Sequence, residues 1–188
     1  MDEPNPTAQS RRTNSYSKMT WRPPKSIRTV AVGLAWHRGR LLVSQIANDS
    51  GKVIGVRPLG GSIEFGETRE QALHREFMEE LGAEISIVGP WLTFENIFDY
   101  EGAPGHEFIF ATDIELHDRS LYDRPEILYA IESGQIVRGV WADPAVLAAR
   151  GLPLFPDSLA KHLASGRNSP DRLGSGPALG SPEVPELL

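Results

Sequence analysis

The chain has 188 residues, 40% of them hydrophobic and 23% charged, a length and balance that suit one domain with a sizeable core. Its formal charge of -6, from 19 Lys and Arg against 25 Asp and Glu, is opposite in sign to the footprint of a phosphate-backbone reader and argues against broad nucleic-acid binding. The absence of cysteine excludes disulfides, thiolate metal sites and a cysteine nucleophile, so any metal is held by oxygen or imidazole.

Apolar runs such as Val30 to Trp36 fall far short of a membrane span, and the N-terminus lacks the apolar stretch of a secretory signal. A soluble, cytoplasmic protein without a membrane partner is the expectation. Residues 1–26 carry four prolines and almost no aliphatic residues before Ile27, and residues 166–188 carry four glycines and four prolines. Both stretches read as disordered tails around a domain over 27–165. Met19, just before the domain, is an alternative start to Met1.

Within the domain, β-branched Ile27 to Trp36 and apolar Leu41 to Ile46 flank Arg38-Gly39-Arg40 and read as a hairpin. Gly60-Gly61-Ser62-Ile63-Glu64-Phe65-Gly66-Glu67 then reads as a glycine-rich loop that feeds the next helix. Leu73, Phe77 and Leu81 recur every four residues, within about 80° on a helix, which Thr68 and Gln71 start as a capping box and Gly82 stops. Ile85 to Val88, Leu92 to Phe98 and Glu107 to Leu116 read as strands, the last two joined by a turn-rich stretch from Asp99 to Gly105. Gln135 to Trp141 reads as a further strand, Pro144 to Ala149 and Pro156 to Ala164 as helices, and the pattern implies a mixed α/β sandwich.

The chemistry concentrates on the capped helix. Glu76, Glu79 and Glu80 fall within roughly a 100° arc beside the apolar stripe. Clustered carboxylates repel and raise one another's pKa unless a cation sits among them, and hard oxygen donors without thiolates suit Mg²⁺ or Mn²⁺. A solvated acidic face is the plainer reading of the same helix.

Gly61, five residues, Glu67, seven residues, Arg75-Glu76-Phe77, one residue, Glu79-Glu80, one residue, Gly82-Ala83 resembles the signature box of the Nudix hydrolase family. Every fixed polar and glycine position is filled, and Ala83 alone is smaller than the aliphatic residue usual there. The resemblance implies the Nudix-type α/β/α sandwich with a mixed β-sheet. It also implies Mg²⁺-dependent hydrolysis of a phosphoanhydride in a nucleoside diphosphate linked to a group X, with homodimers common among members. A catalytically silent sensor of nucleotide metabolites is the alternative within the same fold.

Carried onto this chain, the resemblance gives Glu76, Glu79, Glu80 and the Gly60 carbonyl as metal ligands and Arg75 as the residue that orients the carboxylates through Glu67. The general base is Glu76 or a downstream glutamate, for which Glu132 is favoured over Glu126. Tyr100, seventeen residues beyond the box, resembles a marker of members acting on dinucleoside polyphosphates, although a tyrosine in a hairpin turn is ordinary. Arg57 and His106, the latter beside Glu107, are candidates to contact a substrate phosphate or base.

Overall fold

Strand β1, Ile27–His37, sends Val30, Val32 and Leu34 to one side of a sheet and Ala31, Gly33 and Ala35 to the other, as a pleat of period two requires. The computed structural model describes residues 21–130 and 136–166. The chain reverses through Arg38 and Gly39, at φ 50° and 75°, into β2, Arg40–Ala47, with Trp36 opposite Leu41. Two adjacent left-handed residues form the tight turn expected from the sequence, but β1 and β2 pair only at Trp36–Leu41 and His37–Arg40 before they part.

Strand β3, Val53–Ser62, lies between β1 and β2 and takes in Gly60, Gly61 and Ser62, so the expected loop is shortened at its start and runs over residues 63–67. Gly55, Pro58, Gly60 and Gly61 interrupt its β-branched run and hide the strand from a propensity reading. Gly60 sits at φ 130°, and a Cβ there would collide with the Ala31 carbonyl oxygen. Glycine at this position therefore serves backbone approach between strands.

Helix α1, Arg69–Leu81, begins with both hydrogen bonds of the capping box between Thr68 and Gln71 and ends at Gly82 in the left-handed conformation. Strands β4, Ile85–Ile87, β5, Leu92–Tyr100, and β6, Ala103–Leu116, follow. The β5–β6 turn is shorter than expected. Left-handed Glu101 and Gly102 make the reversal alone, so Asp99, Tyr100, Pro104 and Gly105 belong to the ladder.

After a 3-10 helix, Arg119–Asp123, come β7, Glu126–Ala130, β8, Ile136–Ala142, and helices α2, Pro144–Ala149, and α3, Asp157–Ala164. Strand β7 is absent from the sequence reading, which treats its residues as a connection. The strand order is β4-β6-β1-β3-β2-β8-β7, with β5 also on β6 and with β1 and β6 parallel. Helix α1 packs Leu73 and Phe77 on one face of this mixed sheet, while Leu147 of α2 and Leu159 of α3 are buried on the other. The result is an α/β/α sandwich, as expected.

Small residues of β1 bring α1 close. A Cβ on Gly33 would meet the Phe77 ring at 2.8 Å and Ile114 Cδ1 at 2.7 Å. Trp21 and Arg22, which the sequence assigns to the tail, touch the domain: the Trp21 ring stands edge-on to Tyr100 at 5.5 Å and Arg22 pairs with Asp49. The remainder of both expected tails, 1–20 and 167–188, lies outside the described residues. Among the described residues, no helix is long and apolar enough to cross a membrane.

Candidate active site

Helix periodicity places Arg75 one turn above Glu79 and beside Glu76, and the loop between β3 and α1 brings Glu67 to meet it. The Arg75 guanidinium donates through Nε and Nη2 to the two Glu67 oxygens at 3.0 Å each, through Nη1 to Glu76 at 2.9 Å and Glu79 at 3.2 Å, and through Nη2 to the Ser62 carbonyl at 2.9 Å. One planar cation thus ties strand, loop and helix together, and its fork matches a carboxylate in two parallel bonds. The Arg75 hydrogen bonds hold the Glu67 carboxyl below the usual carboxylate range. Glu67 in turn accepts the Glu64 backbone N–H at 3.1 Å, which shapes the loop.

Glu76 and Glu80 have a different environment. Burial raises the Glu76 pKa, with the Arg75 hydrogen bond acting against it. Burial pushes Glu80 up to about 7; Arg57 draws it down, while Glu76 and Glu79 add repulsion. The Glu80 Oε2 atom is buried and has no hydrogen-bond partner among the described residues. A buried carboxylate oxygen without a donor is costly unless another group completes it.

Strand pairing supplies the opposite wall. Arg57 on β3 lies opposite Ser44 on β2, and Ser44 lies opposite Gly139 on β8. The Tyr129 ring from β7 passes over Gly139, whose missing Cβ leaves a carbon of that ring 3.4 Å from the position it would fill. The Tyr129 phenol reaches the Ser44 hydroxyl, and burial together with the Glu80 charge pushes its pKa up to about 12. Neither Tyr129 nor Ser44 was a candidate from sequence, because Ser44 is embedded in an apolar run and Tyr129 is on the unrecognised strand.

The donor set fits a hard divalent cation. Glu80 offers an unsatisfied buried oxygen, and Glu76 rests on Gly61, where any Cβ would collide with its carboxyl group. Among the described residues no three acidic or imidazole side chains are gathered so that they could hold a metal ion by themselves. An open set is what Mg²⁺ uses, since it retains several waters and takes few carboxylates.

The other candidates lie elsewhere. The Tyr100 hydroxyl donates to the Ala47 carbonyl at 2.7 Å, and His106 Nε2 is 3.0 Å from Glu95 Oε1; neither contacts the carboxylate cluster among the described residues. Glu126 pairs with Arg138 and lies on the exposed face of β7, opposite the face that buries Ile127 and Tyr129. Glu132 lies outside the described residues.

A family model described as the NUDIX domain matches residues 27–153. The nucleoside triphosphatase NudI of Enterobacter sp. (strain 638) is 41% identical over 73 residues, 37% of this chain and 52% of that protein. Its namesake in Klebsiella pneumoniae subsp. pneumoniae is 38% identical over 66 residues, 34% of this chain and 47% of that protein. The chain therefore spans about half the length of the curated relatives it matches. Among solved structures, a NUDIX hydrolase from Nitrosomonas europaea superposes with a TM-score of 0.53 at 16% identity, covering 80% of this chain and 97% of that one. The E. coli ORF135 protein gives 0.52 at 22% identity, covering 78% and 94%. Both likenesses bear on the fold alone.

Proposed function

This chain belongs to the NUDIX domain family, and on that premise we propose that it hydrolyses a phosphoanhydride bond in a nucleoside diphosphate linked to a group X, with Mg²⁺ or Mn²⁺ as cofactor. The observation that carries this reading is the buried, partnerless Glu80 oxygen in a cluster with Glu76 and Glu79. Nucleoside triphosphates are the first substrates to test, because the curated relatives are named nucleoside triphosphatases.

Glu76, Glu79, Glu80 and the Gly60 carbonyl would hold the cation. When bound, it supplies charge neutralisation at the diphosphate oxygens and Lewis-acid activation of water. The chain's own residues do the rest. Arg75 fixes the positions of Glu76 and Glu79 and leaves the Glu80 carboxyl free of its guanidinium. Among the described residues no hydrogen bond or ion pair holds the Arg57 guanidinium, which makes it the phosphate contact in this reading. Tyr100 and His106 keep their partners within the chain. Proton abstraction falls to Glu76 or to Glu132; because Glu76 would also hold the cation, the discriminating variant is Glu132→Gln, whose kcat falls by orders of magnitude if Glu132 is the base and stays near wild type if Glu76 is.

The test is a panel of nucleoside triphosphates and other nucleoside diphosphate derivatives assayed with Mg²⁺ and with Mn²⁺. Turnover of at least one class is expected. Binding without turnover under either metal would make the domain a nucleotide sensor instead.

A further inference from the structure

At the end of the sheet away from Ser62, the β1–β2 turn faces the chain between the 3-10 helix and β7, enclosing a cleft of about 230 Å³. His37, Arg38 and Arg40 line one wall and Tyr122 and Arg124 the other, with Trp141 at the floor. Asp123 is the single acid in the lining. In a chain with a formal charge of -6, three arginines against one aspartate make a local reversal of sign. Among the described residues no side-chain hydrogen bond or ion pair holds the Arg38 or Arg40 guanidinium. Arg124 donates only to the Ser120 hydroxyl, at 3.2 Å.

The floor is rigid. The Tyr122 and Trp141 rings stack at 5.2 Å with 20° between their planes, and the His37 ring lies 5.3 Å and 5.6 Å from them. The Tyr122 oxygen accepts the Leu116 backbone N–H at 2.9 Å, and Trp141 Nε1 donates to the Leu121 carbonyl at 3.1 Å. Guanidinium groups with unused donors above such a floor suit the oxygens of a phosphoryl group, which they bind in paired hydrogen bonds. The volume is below the roughly 300–1,000 Å³ of pockets that enclose drug-sized ligands, so it admits a phosphate group rather than a whole nucleotide.

The cleft is separate from the carboxylate cluster. Arg40 precedes Ser44 by four residues on β2, about 13 Å along a strand. Buried Leu42, Leu121 and Trp141 fill the interval on the same face of the sheet.

We propose that this cleft is a second ligand site that binds a phosphoryl dianion, either inorganic phosphate or the phosphate of a small monoester. The inference stands independently of the hydrolase reading. Isothermal titration of the full chain with inorganic phosphate, and separately with glycerol phosphate, in EDTA at constant ionic strength tests it. Saturable binding of one per chain is expected, and the tighter ligand identifies the source of the phosphoryl group. Affinity should fall at least tenfold in Arg40→Gln and in Arg124→Gln and remain unchanged in Arg57→Gln, with the melting temperature checked for each variant. Should Arg40→Gln unfold, exposed Arg38→Gln supplies the same test. Absence of saturable binding, equal loss in Arg57→Gln, or indifference to the cleft arginines would overturn the proposal.

Discussion

The Glu76 carboxyl group lies against Gly61, where a Cβ would collide with both of its oxygens and its carboxyl carbon. The group that must move in Gly61→Ala is the end of a flexible side chain, not backbone, so the fold should survive. Thermal unfolding should shift little while kcat falls by about tenfold or more, because a displaced carboxylate no longer meets its ligand in the productive geometry. An unchanged kcat would show that the position of Glu76 is immaterial.

Gly33→Ala should behave in the opposite way. Its Cβ meets the Phe77 ring and Ile114 inside the packed layer between β1 and α1. Overpacking of this kind costs about 1–3 kcal/mol. Denaturant midpoints of the purified variant read this loss directly.

Glu80 gives a pH signature to the metal-free protein. Its pKa is pushed up to about 7 in the fold from the ordinary 4.5, so the folded state binds a proton more tightly than the unfolded state. That contribution to stability is complete below about pH 4.5 and is lost as pH rises through about 7, by an amount on the order of 2–3 kcal/mol. Glu80→Gln should remove this slope, raise stability at pH 8 in EDTA, and reduce hydrolysis by orders of magnitude in the presence of metal. Denaturation curves in EDTA between pH 4.5 and 8 check the first two outcomes, and a metal-supplemented assay checks the third.

A chain from Met19 to Gly166 should match the full-length protein in melting temperature and turnover, since every proposed catalytic residue lies between Arg57 and Glu132. A chain starting at Ile27 should melt a few degrees lower, because it lacks the Trp21 contact with Tyr100. Side-by-side calorimetry of the three lengths distinguishes these outcomes.

The carboxylate helix was legible in the sequence because its information is local: a capping box, a four-residue apolar period and a terminal glycine all lie within fifteen residues. The link from Arg75 to Glu67, eight residues apart, was expected only from the family resemblance. The Arg75 bond to the Ser62 carbonyl was not expected, since it depends on where β3 ends. Tyr129 escaped notice because its meeting with Ser44, eighty-five residues earlier, requires β7, β8 and β2 to be laid side by side, and only the finished sheet supplies that order. Glycines misled in one place: Gly60 and Gly61 signalled a loop, whereas both end a strand, where Gly60 lets the Ala31 carbonyl of β1 come close and Gly61 leaves room for the Glu76 carboxyl.

The parallel pairing of β1 with β6 has a consequence for how the molecule is made. Ile27 meets His106 and Ala35 meets Ile114, partners 79 residues apart. At about 5–20 residues per second, a ribosome needs roughly 4–16 s after completing β1 to deliver the strand that covers its second edge. During that interval β1 can pair only with β2 and β3, leaving one edge of an apolar strand open to other nascent chains. Synthesis speed between Ser62 and Ile114 thus sets how long the half-built sheet is exposed to aggregation.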